Sequence, residues 1–129
     1  MGNYFEEKSG VLLDVDRAVD LITWLRSKTL LLALIRNRYA ENNEGRTKSV
    51  LRAVLTRWTS HYMAFHRLLE LRTTIQGIMY EELAKRPEKQ MILVGDKKAR
   101  TRSTQMIAII QDSLFWHSIT RYVNRISSN

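Results

Sequence analysis

The sequence predicts a mainly α-helical fold. Apolar residues recur at steps of three and four along most of the chain, the signature of one helix face. One Pro and five Gly in 129 residues are too little punctuation for a sheet-rich fold and permit long helices. Cap residues, Asp96 and Asp112, stand just ahead of two of the periodic stretches. The resulting inventory is four helices and one short strand before Arg57, with no internal repeat and no low-complexity segment.

Residues 1–13 read as a loose lead-in. Asp14 is placed to cap the first helix, and Asp16 in its first turn suits the helix dipole. Val15, Ala18, Val19, Ile22 and Leu25 share one face. From Leu30 to Ile35 the pattern is apolar all round, as in a helix buried on several sides. Asn42-Asn43-Glu44-Gly45 ends it. One helix from Val15 to Tyr39 would be about 37 Å long, long for a small domain. One end of such a helix is expected to need neighbours from outside the chain.

Residues 46–49 are a short basic linker. Val50–Thr56 is open between a strand and the start of a helix. Val50, Val54 and Thr56 favour the strand; Leu51, Arg52, Ala53 and Leu55 suit a helix. Thr59-Ser60 are good N-caps, which favours a strand ending near Thr56. A second helix follows from about Ser60 to Ala84, with Phe65, Leu68, Leu71, Ile75 and Ile78 inside and a weak point near 72–77. Pro87 ends it. Residues 87–95 form a loop in which Met91–Val94 can tuck into the core. Asp96 caps a third helix burying Met106, Ile107 and Ile110. Asp112-Ser113 cap a fourth, with Phe115, Trp116, Ile119, Tyr122, Val123 and Ile126 as its inner stripe.

The net charge is +8, which favours polyanionic partners: nucleic acid first, an anionic membrane surface second. The excess is spread along the chain, with ten Lys/Arg against seven Asp/Glu in residues 1–64 and eleven against six in residues 65–129. There is no cysteine, so disulfides and a thiol nucleophile are excluded. The polar, acidic N-terminus does not resemble a signal peptide. The longest apolar run falls far short of the ~20 residues that span a membrane. These features point to an intracellular protein, nuclear or cytoplasmic, and not a secreted or membrane one.

Spacing alone yields no catalytic or metal-ligating set. His61 and His66 are five apart and fall on different helix faces, so they make no i, i+4 clamp. Glu81 and Glu82 are adjacent and diverge. The better candidates are aromatic–basic couples, since Trp stacks on bases and Arg holds phosphates. Trp116, near His117 and Arg121, sits on an apolar stripe, where core packing is the simpler reading. Arg57-Trp58 sits at an element boundary. Lys97, Lys98, Arg100 and Arg102 crowd the positive end of a helix dipole, which is unfavourable by a few tenths of a kcal/mol each. They are either simply solvated or close to an anion.

The run LRAVLTRWTSHYMAFHRLLELR resembles the segment around the Arg-Trp motif of hAT-type (hobo/Activator) DNA transposases. In that family a short apolar strand leads to Thr-Arg-Trp, then Asn/Thr-Ser, an aromatic and a Leu-rich helix. Here these are Val50–Leu55, Thr56-Arg57-Trp58, Thr59-Ser60, Tyr62 and Leu68–Arg72. Ala18–Thr29 and Gly95–Trp116 are similar to fungal members, and the likeness spans about residues 14–126. It implies a partial RNase H-like segment over residues 14–58 and a helical insertion over 59–129. The family's two Asp and one Glu hold divalent metal such as Mg²⁺ for strand transfer. The Asp pair precedes the matched segment and the Glu follows the insertion, so neither is expected here, and no catalytic residue or cofactor is assigned.

The resemblance thus implies a catalytically inactive transposase fragment with residual DNA binding through Arg57 and Trp58, which Lys97, Lys98, Arg100 and Arg102 join on their charge alone. A fragment without its central sheet is expected to leave Leu30–Ile35 underburied and to be molten or self-associating. Two other readings stand beside it. One is a domesticated helical module that binds nucleic acid or a protein; the other is an unrelated basic helical bundle.

Overall fold

A computed structural model describes the backbone of residues 2–53 and 58–127, and the side chains of residues 13–53 and 61–126. Among the described residues six α-helices follow one another: α1 (Gly2–Ser27), α2 (Thr29–Asn42), α3 (Trp58–Glu70), α4 (Arg72–Ala84), α5 (Lys97–Ile110) and α6 (Ser113–Ser127). A single 3-10 turn at Pro87–Lys89 lies between α4 and α5.

Four predicted helices become six because two of them break. The first break is at Lys28, whose backbone is extended (φ −108°, ψ 93°). Ser27 Oγ donates to the Trp24 carbonyl at 2.6 Å, and the Lys28 N–H donates to Leu25 at 3.2 Å. These bonds satisfy carbonyls at the end of α1. The break lets α2 fold back against α4. Leu31 and Ile35 are then buried, Leu32 and Leu34 pack on the core, and Leu30 is left 52% exposed. The run predicted to lack neighbours is thus mostly covered, and self-association through it finds no support. At the other end of α1 the helix begins at Gly2, well ahead of the start predicted at Asp14.

The second break is at Leu71, just before the weak point predicted near 72–77. Its N–H is shared between the Arg67 and Leu68 carbonyls, both at 3.1 Å, and its own carbonyl accepts from Ile75 at 2.9 Å. Leu71 stays in the right-handed region (φ −93°, ψ −1°), so a single turn residue separates α3 from α4. α2 ends as the sequence predicts. Glu44 (φ 59°) and Gly45 (φ 81°) adopt left-handed backbone, and the Gly45 N–H reaches back to Ala40 at 2.9 Å.

Among the described residues the predicted strand and RNase H-like frame are not present. Among the described residues there is no strand, and residues 46–53 have no regular structure. The Ser49 and Val50 carbonyls accept hydrogen bonds from guanidinium groups instead of a neighbouring strand: Arg67 Nη1 at 3.1 Å and Arg26 Nη1 at 2.7 Å. The Lys48 ammonium pairs with Glu70, and the Val50 side chain is buried. The chain is therefore strapped across α1 and α3 by side chains. Residues 54–57, the rest of the predicted strand, lie outside the described residues.

The core is gathered around α6, which packs on α1, α3 and α5. Phe115, Trp116, Ile119 and Val123 are buried as the stripe predicts, and Tyr122 packs against them. Phe65 of α3 is fully buried, 5.4 Å from Tyr122 between ring centroids and stacked on His61 at 5.6 Å. Phe65→Ala should cost about 3–5 kcal/mol through lost burial and a residual cavity. Urea unfolding should show this as a lower midpoint with an unchanged slope.

Candidate nucleic-acid interface

α5 starts where the sequence places it. Gly95 takes φ +101°, a conformation that glycine adopts freely. Asp96 Oδ1 then accepts the Ala99 N–H at 2.8 Å, an N-cap bond. Ser103, Met106, Ile107 and Ile110 are buried. Ile109 packs against the core as well, while Lys97, Lys98, Arg100 and Arg102 are all exposed.

None of these four cations has a carboxylate partner among the described residues. Several carboxylates are used elsewhere. Glu81 accepts both guanidinium nitrogens of Arg38 at 3.1 and 2.7 Å. Glu70 receives Lys48, with His66 at 3.3 Å and Arg67 at 3.4 Å alongside. Asp14 meets Arg17, Asp96 caps α5, and Asp112 Oδ1 accepts the Leu114 N–H at 3.0 Å. The fold thus ties up several acidic groups in pairs and caps, and a cluster of positive charge stands on α5.

A shallow groove runs beside this face, lined by Pro87, Gln90 and Leu93 from the preceding segment and by Lys97, Arg100 and Thr104 from α5. Its loop wall is held by Glu82, a carboxylate only 1% exposed. The backbone N–H groups of Met91, Ile92 and Leu93 donate to it at 3.1, 2.5 and 3.0 Å. Ser103 Oγ of α5 donates to the Ile92 carbonyl at 3.3 Å, which ties the loop to the helix as well. Burial alone would raise the Glu82 pKa. The three amides, helped by Lys85, outweigh it and hold the carboxyl below its ordinary value. Ile92 is buried and Leu93 partly so, while Met91 and Val94 stay exposed, so the predicted tuck involves only the middle of that run.

Glu82, dismissed from sequence as one of two diverging carboxylates, has a buried role that its spacing from Glu81 does not reveal. Its signal was position: it falls three residues after Met79, four after Ile78 and seven after Ile75, on the buried stripe of α4. A carboxylate there, near the negative end of the helix dipole, needs donors from elsewhere.

Arg57 lies outside the described residues, and Trp58 is described only as the first backbone position of α3. Trp116 is fully buried, donates Nε1–H to the Ile110 carbonyl at 2.6 Å, and carries the Arg72 guanidinium 5.4 Å from its ring, which makes it a core residue. His61 stacks on Phe65 and His66 lies against Glu70, on separate faces as their spacing implies. Among the described residues no three His, Asp or Glu are grouped to hold a metal ion, and no helix is long and apolar enough to cross a membrane.

No family model, curated protein or solved structure matches the chain.

Glu82→Gln should destabilise the protein by about 2–4 kcal/mol at pH 7, since it puts an amide among three donors in a buried site. The native carboxyl has a lowered pKa, so its contribution is complete above the ordinary value of 4.5. It is lost as pH falls through the lower native value. The gap between wild type and variant in urea unfolding should therefore be widest near neutrality and shrink on acidification below about pH 4.5.

Proposed function

We propose that this protein is a basic helical module that binds nucleic acid through the outward face of α5. The observation that carries the reading is the cluster of Lys97, Lys98, Arg100 and Arg102, exposed and, among the described residues, without carboxylate partners. They stand at the helix end where cations are least favoured. A net charge of +8 supplies the long-range attraction that brings a polyanion to such a face. The reading assigns no catalytic step and no cofactor to the chain. It places the protein inside the cell, with access to DNA in the nucleus. Of the readings the sequence allows, it is nearest to a domesticated helical module. Descent from a hAT-type transposase is part of the proposal, carried by Thr56-Arg57-Trp58 and their sequence flanks alone.

The test is the salt dependence of binding to a labelled oligonucleotide. Replacing Lys97, Lys98, Arg100 and Arg102 together by Gln should flatten the slope of log affinity against log salt by up to about 3–4 units, close to one per lost phosphate contact. Arg36→Gln with Arg121→Gln, two exposed cations on other helices, should change it far less than Lys98→Gln with Arg102→Gln. Equal losses from the two pairs would show that only net charge matters and would remove the case for α5.

A further inference from the structure

The exposed residues of α5 are arranged in a pattern that goes beyond a patch of charge. At about 100° per residue, the buried residues Ser103, Met106, Ile107 and Ile110 define the inner side. Arg100 and Lys97 fall on one flank of the outer side, and Lys98 and Arg102 on the other. Arg100 and Arg102 stand about 200° apart across that outer arc by the same periodicity. Between the flanks lie Thr101, Gln105 and Ala108, all exposed and spaced four and three apart along one ridge. The centre of the face is therefore neutral and short, and both of its edges are cationic.

We infer that α5 lies in the major groove of B-form duplex DNA, with its two cation pairs on the phosphates of opposite strands and Thr101, Gln105 and Ala108 toward the base edges. This rests on the nucleic-acid reading above and names the ligand within it. A helix with its side chains is about 10–12 Å across, and the major groove is about 12 Å wide. Gln can pair with the adenine edge, Thr with either base type, and Ala meets the thymine methyl. Other polyanions fit the same face less well. A single strand is held by stacking on aromatic rings, and α5 carries none. A membrane-surface helix places large apolar residues between its cationic flanks, where α5 has Thr101, Gln105 and Ala108. Duplex RNA has a deep, narrow major groove that does not admit the helix.

The test compares one sequence as duplex DNA, duplex RNA and single-stranded DNA at one salt concentration, with anionic phosphatidylserine vesicles as a fourth probe. Duplex DNA should bind at least about tenfold more tightly than duplex RNA. Selection from a randomised duplex pool should yield a preferred short sequence. Gln105→Ala should weaken that preference while leaving the salt slope unchanged, because Gln105 makes no phosphate contact in this arrangement. RNA duplex or single strand bound as tightly as duplex DNA would overturn the groove inference, as would an unaltered preference in Gln105→Ala. In either case nucleic-acid binding by α5 would stand if its salt slope still depends on the four cations. Binding to vesicles alone would overturn both.

Discussion

The buried Glu82 carboxylate is the constraint on which the basic face depends. Three consecutive backbone N–H groups, from Met91, Ile92 and Leu93, converge on its two oxygens. A buried charge is tolerated only when its hydrogen-bonding capacity is met, and here the loop meets it. In return the loop gains a fixed path from Pro87 to the cap at Asp96. α5 thus starts at one place on the surface, with Ser103 bonded to the Ile92 carbonyl beneath it. One acidic residue of α4 sets the position of four cations on α5 without touching any of them.

Side chains also take over the role of strand pairing in the other long connection. The Ser49 and Val50 carbonyls accept from Arg67 and Arg26, and the Lys48 ammonium meets Glu70 and lies 5.7 Å from the Tyr39 ring centroid. Arginine suits this task because its guanidinium presents several donors in a rigid plane and stays charged. The basic composition therefore serves two purposes. Some cations stitch irregular backbone to helices or neutralise carboxylates; those of α5 do neither and remain outward. Net charge alone does not reveal that partition.

Much of the helical layout was legible in the sequence because its signals are local. Asp96 and Asp112 mark helix starts through short-range hydrogen bonds to backbone amides. The apolar spacing from Phe115 to Val123 marks the inner face of α6, and the left-handed pair Glu44-Gly45 ends α2. The breaks were harder to see. Lys28 carries no Pro or Gly signal, and α2 turns there because Leu31 and Ile35 find the core only after the turn. Leu71 is an apolar stripe residue that also separates two helices. Val50 has the composition of a strand residue, yet its carbonyl is satisfied by Arg26, 24 positions earlier in the chain.

The sequence by itself determined a helical chain without cysteine chemistry, an excess of positive charge, and the inner faces and starts of α5 and α6. These follow from periodicity, composition and capping, which act within a few residues. Only the tertiary structure decided that two predicted helices are four, that the segment after α2 is strapped by arginines, and that Glu82 anchors the loop before α5. It also decided which cations are left without carboxylates. Each of those outcomes depends on groups distant in the chain finding one another as polar atoms are buried, and no local pattern encodes that pairing.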